Sequence, residues 1–282
     1  MHDTTLIAKD SAIRTRHAAF RKLHISIIMP VLDEERILAK TLSHTLALSF
    51  DDVIVVDGSS RDRTRDIVAM FQARHARPET QGLESFPQLE PRTGNREAPA
   101  QPIESSTLTL LTTLPGRARQ MNAGAAMSKG DVLVFVHADT QLPTEARTRI
   151  EQALTNPAHV GGRFNVQFEP DTRWGRVISR LMNWRSRWSG IATGDQAIFV
   201  RRECFERLGG FSDVPIMEDI DFCHRLKQTG RMAALQSTVV TSYRRWEQGG
   251  PLKVIALMWL LRGLYWFGVS PHALTRMYAH VR

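Results

Sequence analysis

Cysteine is nearly missing from this chain: Cys204 and Cys223 are the only two in 282 residues, with no CxxC and no Cys/His cluster nearby. A disulfide scaffold and a structural zinc site are thereby excluded as organising principles. Also lacking is an apolar run long enough to cross a bilayer. The longest, residues 254–269 (VIALMWLLRGLYWFGV), spans 16 residues and carries Arg262. A spanning helix needs about 20 apolar residues, and a central Arg costs roughly 2.5–3.5 kcal/mol on insertion scales. The run therefore reads as a core or membrane-surface helix. The first residues (MHDTTLIAKDSAIRTRHAAFRKLH) hold no uninterrupted apolar core of the secretory type, and read as a tail before the first strand. There is no internal repeat.

What is present describes a folded chain with a basic bias. Hydrophobic residues make up 42% and charged residues 23%, which excludes a disordered or fibrous protein. The length leaves one large domain or two small ones open. Lys and Arg total 37 against 29 Asp and Glu, a formal net charge of +8. That balance invites an anionic partner: a nucleotide, a phospholipid surface or nucleic acid. From Arg231 to the end, seven Lys/Arg face Glu247 alone. A non-catalytic nucleic-acid-binding protein is the contrasting reading, but no nucleic-acid module signature appears.

The first half alternates strand and helix. Apolar β-branched runs at residues 25–29, 52–56, 108–112 and 131–136 read as strands. Between and after them, helical spacing predicts helices over 34–48, 62–75, 117–127 and 143–154. Such alternation argues for a parallel sheet covered on both faces. Residues 76–106 break the pattern with five Pro and five Glu and almost no β-branched residues, and read as a disordered surface insertion. The second half predicts strands at 160–168 (half-exposed by its alternation), 196–200 and 232–241, and helices at 172–188 and 218–227. The 172–188 helix sets Arg173, Arg176, Arg180, Arg185 and Arg187 beside Trp174, Trp184 and Trp188.

In open parallel sheets ligands bind outside the carboxyl ends of the strands. Acidic groups recur there: Asp33-Glu34-Glu35 after the first strand, Asp57-Gly58-Ser59-Ser60-Arg61-Asp62 after the second, His137-Ala138-Asp139 after the fourth. Glu218-Asp219 opens a later helix. Each alone reads equally as a helix cap. Together, stacked carboxylates need cations or hydrogen-bond donors to balance them, and beside a basic loop they suggest a divalent metal holding a pyrophosphate. A nucleotidyltransferase would instead need a Gly-rich basic loop straight after the first strand, where this chain has Pro30-Val31-Leu32-Asp33-Glu34-Glu35.

The ordered set PVLDEE, VDGSSRD, GRARQMNAG, GDVLVFVHADT, MEDIDF and RRW resembles the family-2 inverting glycosyltransferases of the glycosyltransferase A fold, over residues 25–246. More narrowly, GRARQMNAG, HADT-x-LP and RGLYWFGVSP are similar to a bacterial subgroup associated with radical-SAM and selenium- or arsenic-related genes and linked to arsenosugar biosynthesis. The resemblance implies a single α/β domain with a mostly parallel nucleotide-binding sheet and helices on both faces. Its catalytic part would span residues 24–246, after a tail at 1–23 and before an amphipathic helical extension at 247–282. The implied donor is a nucleotide-diphosphate sugar (a UDP- or GDP-sugar) and the cofactor Mn²⁺ or Mg²⁺. The acceptor is a hydroxyl compound, with a polyisoprenyl phosphate or other lipid at the membrane face as the alternative. The implied location is cytoplasmic, or peripheral on the inner face of the membrane.

The same resemblance assigns residues. Pro30, Asp33 and Glu34 flank the nucleoside; Asp57, with Gly58 and Ser59, contacts base or ribose; Arg117 approaches base or phosphate. Asp139 matches the last residue of the metal-binding DxD motif, where His137 replaces the first Asp and becomes a direct or second-shell ligand. Asp219 matches the general base, with Glu218 beside it, and Asp195 contacts donor sugar or acceptor. Arg244 and Arg245 hold phosphates while Trp246 packs beside the acceptor; Ser242 stands where a processive synthase carries Gln, which argues against a polymerase. The first turn of a helix lowers a carboxylate's pKa, whereas exclusion of water raises it, so Asp219 is pulled both ways.

Overall fold

The computed structural model describes residues 22–75 and 106–278; residues 1–21 of the predicted tail, residues 76–105 of the predicted insertion and residues 279–282 lie outside the described residues. Strand β1 (Ile25–Val31) is buried along nearly its whole length, because sheet neighbours flank it and helices cover both faces. Its side chains split between two cores. Ile25, Ile27, Met29 and Val31 face one cluster, shared with helices α1 (Leu38–Leu46), α2 (Thr64–His75) and α4 (Ala146–Leu154). Ile28 faces the other, with α3 (Arg117–Met127), α6 (Arg202–Arg207) and α7 (Glu218–Leu226). This two-sided burial is why the strand reads as a continuous apolar run.

The remaining strands are β2 (Asp52–Asp57), β3 (Thr107–Thr112), β4 (Val132–Phe135), β5 (Thr140–Gln141), β6 (His159–Glu169), β7 (Ile198–Arg201) and β8 (Arg231–Ser242). They form one sheet in the order β3-β2-β1-β4-β7-β6-β8-β5. The β3-β2-β1-β4 half is parallel; β7 runs antiparallel to both β4 and β6, and β6 pairs parallel with β8. Helices α5 (Arg173–Ser189), α8 (Arg244–Gly249), α9 (Pro251–Trp266) and α10 (Pro271–Tyr278) complete the described chain. Both cysteines are buried and free.

Three local differences from the sequence expectations have physical causes. The first helix begins at Leu38, not at residue 34, because the backbone N–H groups of Asp33, Glu34 and Glu35 are taken by Ser60 Oγ, Thr64 Oγ1 and Asp62 Oδ2 at 2.8–2.9 Å. Strand β7 starts at Ile198, since residues 194–196 form a 3₁₀ turn and Ala197 adopts a positive φ of 47°. Strand β6 is not half-exposed in its first half. It lies between β7 and β8, so Gly161 and Gly162 are buried, and a Cβ on Gly161 would stand 2.4 Å from the Phe199 carbonyl oxygen. Alternation in this stretch comes from glycine and from the buried Arg163, neither of which marks a solvent face.

At the C-terminal side, Val254 joins Phe168, Ile178, Tyr243 and Trp246 in one small core, and Leu261 and Leu274 join Met217 and Ile220 in another. Helix α9 is not two-faced in polarity: Leu252, Trp259, Leu260 and Trp266 are exposed on it, and Phe267 just beyond it is 90% exposed. Among the described residues no helix is long and apolar enough to cross a membrane.

Candidate active site

The GRARQMNAG stretch becomes α3, and alternate side chains bind it to parts of the chain far away. Arg117 Nη1 meets Glu218 Oε1 at 3.2 Å. Arg119 Nε shares its N–H between the two Asp213 carboxylate oxygens at 2.8 and 2.9 Å. Gln120 Nε2 donates to the carbonyls of Val31 (2.7 Å), the last residue of β1, and Val56 (2.8 Å), the last but one of β2. Asn122 exchanges two hydrogen bonds with the backbone of Phe211. Gly124 lets the helix touch the sheet: a Cβ there would lie 2.6 Å from Ile28 Cγ2 and 2.9 Å from Val56 Cγ2. The helix N-terminus is thereby fixed over the carboxyl ends of β1 and β2, where a parallel sheet offers its binding crevice.

A cavity of 460 Å³ opens there, between the strand ends, α3, α5, α7 and α9. Pro30, Glu34, Arg117, His137, Asp195, Glu218, Asp219, Arg245 and Trp246 line it. Six other predicted residues lie off its wall. Asp33 and Ser59 both take positive φ (55° and 67°), and Asp33 Oδ1 accepts from the Arg61 N–H at 2.7 Å while Ser59 Oγ donates to the Thr113 carbonyl at 2.8 Å. Asp57 is fully buried, accepts from the Ser60 N–H at 3.2 Å, and has Arg65 Nε at 3.9 Å. Gly58 passes under Gln120, where a Cβ would stand 3.0 Å from Nε2. Arg244 Nη2 reaches Glu34 Oε2 at 3.5 Å, and Asp139 Oδ1 has only long contacts to Thr140 and Thr241 hydroxyls at 3.4 and 3.5 Å.

Asp219 is held by the backbone: Oδ2 accepts from the Gly194 N–H at 2.9 Å and Oδ1 from its own helix at Ile220 N, 2.7 Å. Burial, then the charge of Glu218, push its carboxyl up to about 6 against those two hydrogen bonds and Arg117. Desolvation therefore wins over the helix start. Burial alone would raise Asp195, but the His137 hydrogen bond, Arg245, His137 and Arg117 hold it well below the ordinary carboxylate range. Burial also raises Glu34, although Arg244 opposes it. For Arg117, burial would depress the guanidinium, yet Glu218, Asp219 and Asp195 raise it above its ordinary value. Charges of both signs thus alternate through the crevice, so the guanidinium groups offset part of the repulsion among its four carboxyl groups.

The fit of a divalent metal rests on two side chains. His137 Nδ1 lies 3.3 Å from Asp195 Oδ1, and its Nε2 is buried with no hydrogen-bond partner, facing the space above Gly194 that a Cβ would fill. A carboxylate behind one imidazole nitrogen and an unpartnered second nitrogen is the arrangement of a ligating histidine. Asp139, two residues on, offers a carboxylate with spare lone pairs. Among the described residues no three His, Cys, Asp or Glu side chains converge, so a metal held by His137 and Asp139 would take further ligands from a substrate's oxygens.

Sequence reasoning missed Gln120, Arg185 and Arg262 as wall residues. Gln120 stood inside a motif already noted; its role depends on two carbonyls 64 and 89 residues away. Trp246 was expected beside the acceptor; it lines the cavity and also packs edge-on against Phe168, ring centroids 5.8 Å apart.

Fold and sequence together define a glycosyltransferase domain. By its sequence the chain belongs to glycosyl transferase family 2, whose model matches residues 26–83 and 108–209, more than half of the chain. It is 26% identical over 245 residues to the probable glycosyltransferase YdaM of Bacillus subtilis, covering 79% of this chain and 50% of that protein. It is 25% identical over 183 residues to the undecaprenyl-phosphate 4-deoxy-4-formamido-L-arabinose transferase of Pseudomonas aeruginosa, covering 63% of this chain and 46% of that one. The chain thus spans about half the length of the curated relatives it matches. Among solved structures, the mannosyltransferase PcManGT of Pyrobaculum calidifontis, in complex with GDP-Man and Mn²⁺, superposes with a TM-score of 0.52 at 20% identity, over 83% of this chain and 63% of that one. S. aureus TarS 1-349 superposes with a TM-score of 0.50 at 15% identity, over 79% and 61%. At these identities the superpositions establish the shared fold.

Proposed function

We propose that this chain transfers a glycosyl group, with inversion, from a UDP- or GDP-sugar to a hydroxyl acceptor, with Asp219 as the general base. The carrying observation is the half-buried Asp219 carboxylate, raised to about 6, on the wall of the cavity outside the strand ends. A base with that value is ionised at neutral pH yet basic enough to take a proton. The acceptor O–H gives its proton to Asp219 while its oxygen attacks the anomeric carbon opposite the diphosphate. The bond from that carbon to the diphosphate oxygen breaks, and the electron pair leaves with the nucleotide diphosphate. Gly194 and Ile220 fix the base's direction through their N–H groups.

Asp139 and His137 would hold Mn²⁺ or Mg²⁺ together with the donor, and the metal supplies positive charge to the departing diphosphate. Arg245, which influences Asp195 electrostatically and lines the cavity, and Arg244 add fixed charge on the same side. Pro30, Glu34 and the clasped loops carrying Asp33, Asp57, Gly58 and Ser59 form the nucleoside end, with Asp195 toward the sugar. The narrower resemblance to the arsenosugar-linked subgroup belongs to this reading and favours a small acceptor. The test is a thermal-shift panel of nucleotide sugars with and without Mn²⁺ or Mg²⁺, followed by the anomeric configuration of the product. No stabilisation by any of them, or a retained configuration, overturns it.

A second reading takes a polyisoprenyl phosphate as acceptor, its ionised phosphate oxygen attacking the anomeric carbon with no proton to remove. The supporting observation is the apolar wall of the cavity between α5 and α9, with exposed Trp259 on that wall and exposed Trp184, Trp188 and Trp266 elsewhere on the two helices. Exposed tryptophans beside arginines suit a peripheral contact with an anionic membrane.

A further inference from the structure

Arg185 on α5 faces the cavity, and two of its guanidinium nitrogens, Nε and Nη2, are buried with no hydrogen-bond partner. These two N–H groups form one edge of the guanidinium fork, the edge that takes an oxyanion through two parallel hydrogen bonds. Asp219 and Asp195 are close enough to favour the Arg185 charge, but neither hydrogen-bonds these two nitrogens: Asp195 is paired with His137, and Asp219 accepts from the Gly194 and Ile220 N–H groups. Like charge is present as well. Arg163, itself buried, is lowered to about 10 by burial and by Arg187 and Arg185, and its own Nε also lacks a partner. A buried guanidinium edge with no hydrogen-bond acceptor costs free energy that the oxygens of an arriving anion would recover.

The surroundings describe the rest of that ligand. Outward from Arg185, the cavity runs between Ile178, Leu181 and Met182 on α5 and Ile255, Met258 and Trp259 on α9. Leu181 and Trp259 are half exposed at its rim, so an apolar chain could leave the cavity there without bending back into the sheet. Arg262 adds a second guanidinium from α9. These residues line the cavity from α5 and α9, whereas Pro30, Glu34 and Arg117, assigned to the nucleotide, line it from the β1 end and α3.

We infer that Arg185 is the anchor of an acceptor subsite for a phosphomonoester carried on an apolar chain. The inference deepens the second reading above and rests on it. Farnesyl phosphate serves as the probe, with farnesol and inorganic phosphate as controls and UDP or GDP to report the donor site, each measured by calorimetric titration of the full chain. Farnesyl phosphate is expected to bind more tightly than either control. Arg185→Met should weaken it by at least about tenfold, the loss of hydrogen bonds to a charged group. Arg185→Lys, which keeps the charge without the fork, should fall between, and both variants should bind the nucleotide as the native chain does. Farnesol binding as well as its phosphate, inorganic phosphate binding as well as farnesyl phosphate, or an unchanged affinity in Arg185→Met would each overturn the subsite. So would a loss of nucleotide rather than farnesyl phosphate affinity, which would move Arg185 to the donor. If the native chain binds no nucleotide while farnesyl phosphate binding still depends on Arg185, the transferase reading fails and the subsite stands.

Discussion

The Asp219 carboxylate and the Gly194 backbone N–H meet at 2.9 Å across 25 residues of chain, joining the start of α7 to the turn that precedes β7. The contact aims Asp219 into the cavity and ties the proposed base to the element that also carries Asp195. Gly194 is required there because its missing side chain leaves room for His137: a Cβ would stand 2.3 Å from Nε2. One tight turn therefore positions two proposed functions at once.

Asp219→Asn should reduce transfer by on the order of 10²–10⁴-fold, the usual worth of a positioned base, with donor affinity little changed. Asn supplies only one acceptor oxygen for the two N–H groups, so a modest stability cost accompanies it. The native enzyme's rate should rise with pH through about 6 and then level, since the base must be ionised. Stability runs the other way. A raised folded-state value means that ionising Asp219 weakens the fold as pH climbs from 3.8 through about 6. The melting-temperature difference, variant minus native, should therefore become more positive across that window. A flat difference would contradict the assigned shift.

Glu218→Gln removes the negative charge that is the second cause of the raised Asp219 value. The rising limb of the pH–rate profile should move to lower pH, with a milder loss of turnover than in Asp219→Asn. Arg117 loses its partner at 3.2 Å at the same time. If Glu218→Gln is the inactive variant and Asp219→Asn turns over normally, the two roles are reversed.

Asp139→Asn keeps shape and removes charge. Titration of the preferred nucleotide sugar should show affinity that depends on Mn²⁺ or Mg²⁺ in the native chain and hardly at all in the variant. Equal native affinity with a chelator present would assign the diphosphate to Arg117, Arg244 and Arg245 instead.

Gln120→Leu should lower stability by about 1–3 kcal/mol, because the carbonyls of Val31 and Val56 lose their Nε2 donor while Val31 keeps only the Gly58 N–H at 2.9 Å. Denaturant midpoints read this directly. A loss below about 0.5 kcal/mol would mean that the strap between β1 and β2 carries no weight.

Replacing Trp188 and Trp266 together by Ser should abolish flotation with vesicles rich in anionic lipid while leaving the fold intact, since 82% and 73% of these residues are exposed. Equal flotation of native chain and variant would remove the tryptophan rim from the membrane contact, and absence of flotation by the native chain would remove the contact itself.

The parallel half of the sheet was legible in the sequence because strands buried on both faces must be apolar throughout, and β1, β2 and β4 are. Helix α3 was legible to the residue, 117–127, since Gly116 (φ 141°) and the extended Ser128 bound a run of good helix formers. So was the clustering of acidic residues at strand ends, which follows from topology. The tertiary structure decided which acids are occupied. Asp33, Glu35 and Asp62 accept backbone N–H groups within their clasp, whereas Asp219 is half-buried and raised. It also decided that His137 answers to Asp195, and that Arg185, one arginine among five on its helix, turns inward without a partner. Burial, pairing and desolvation are set by residues distant in the chain, and no local pattern of charges encodes them.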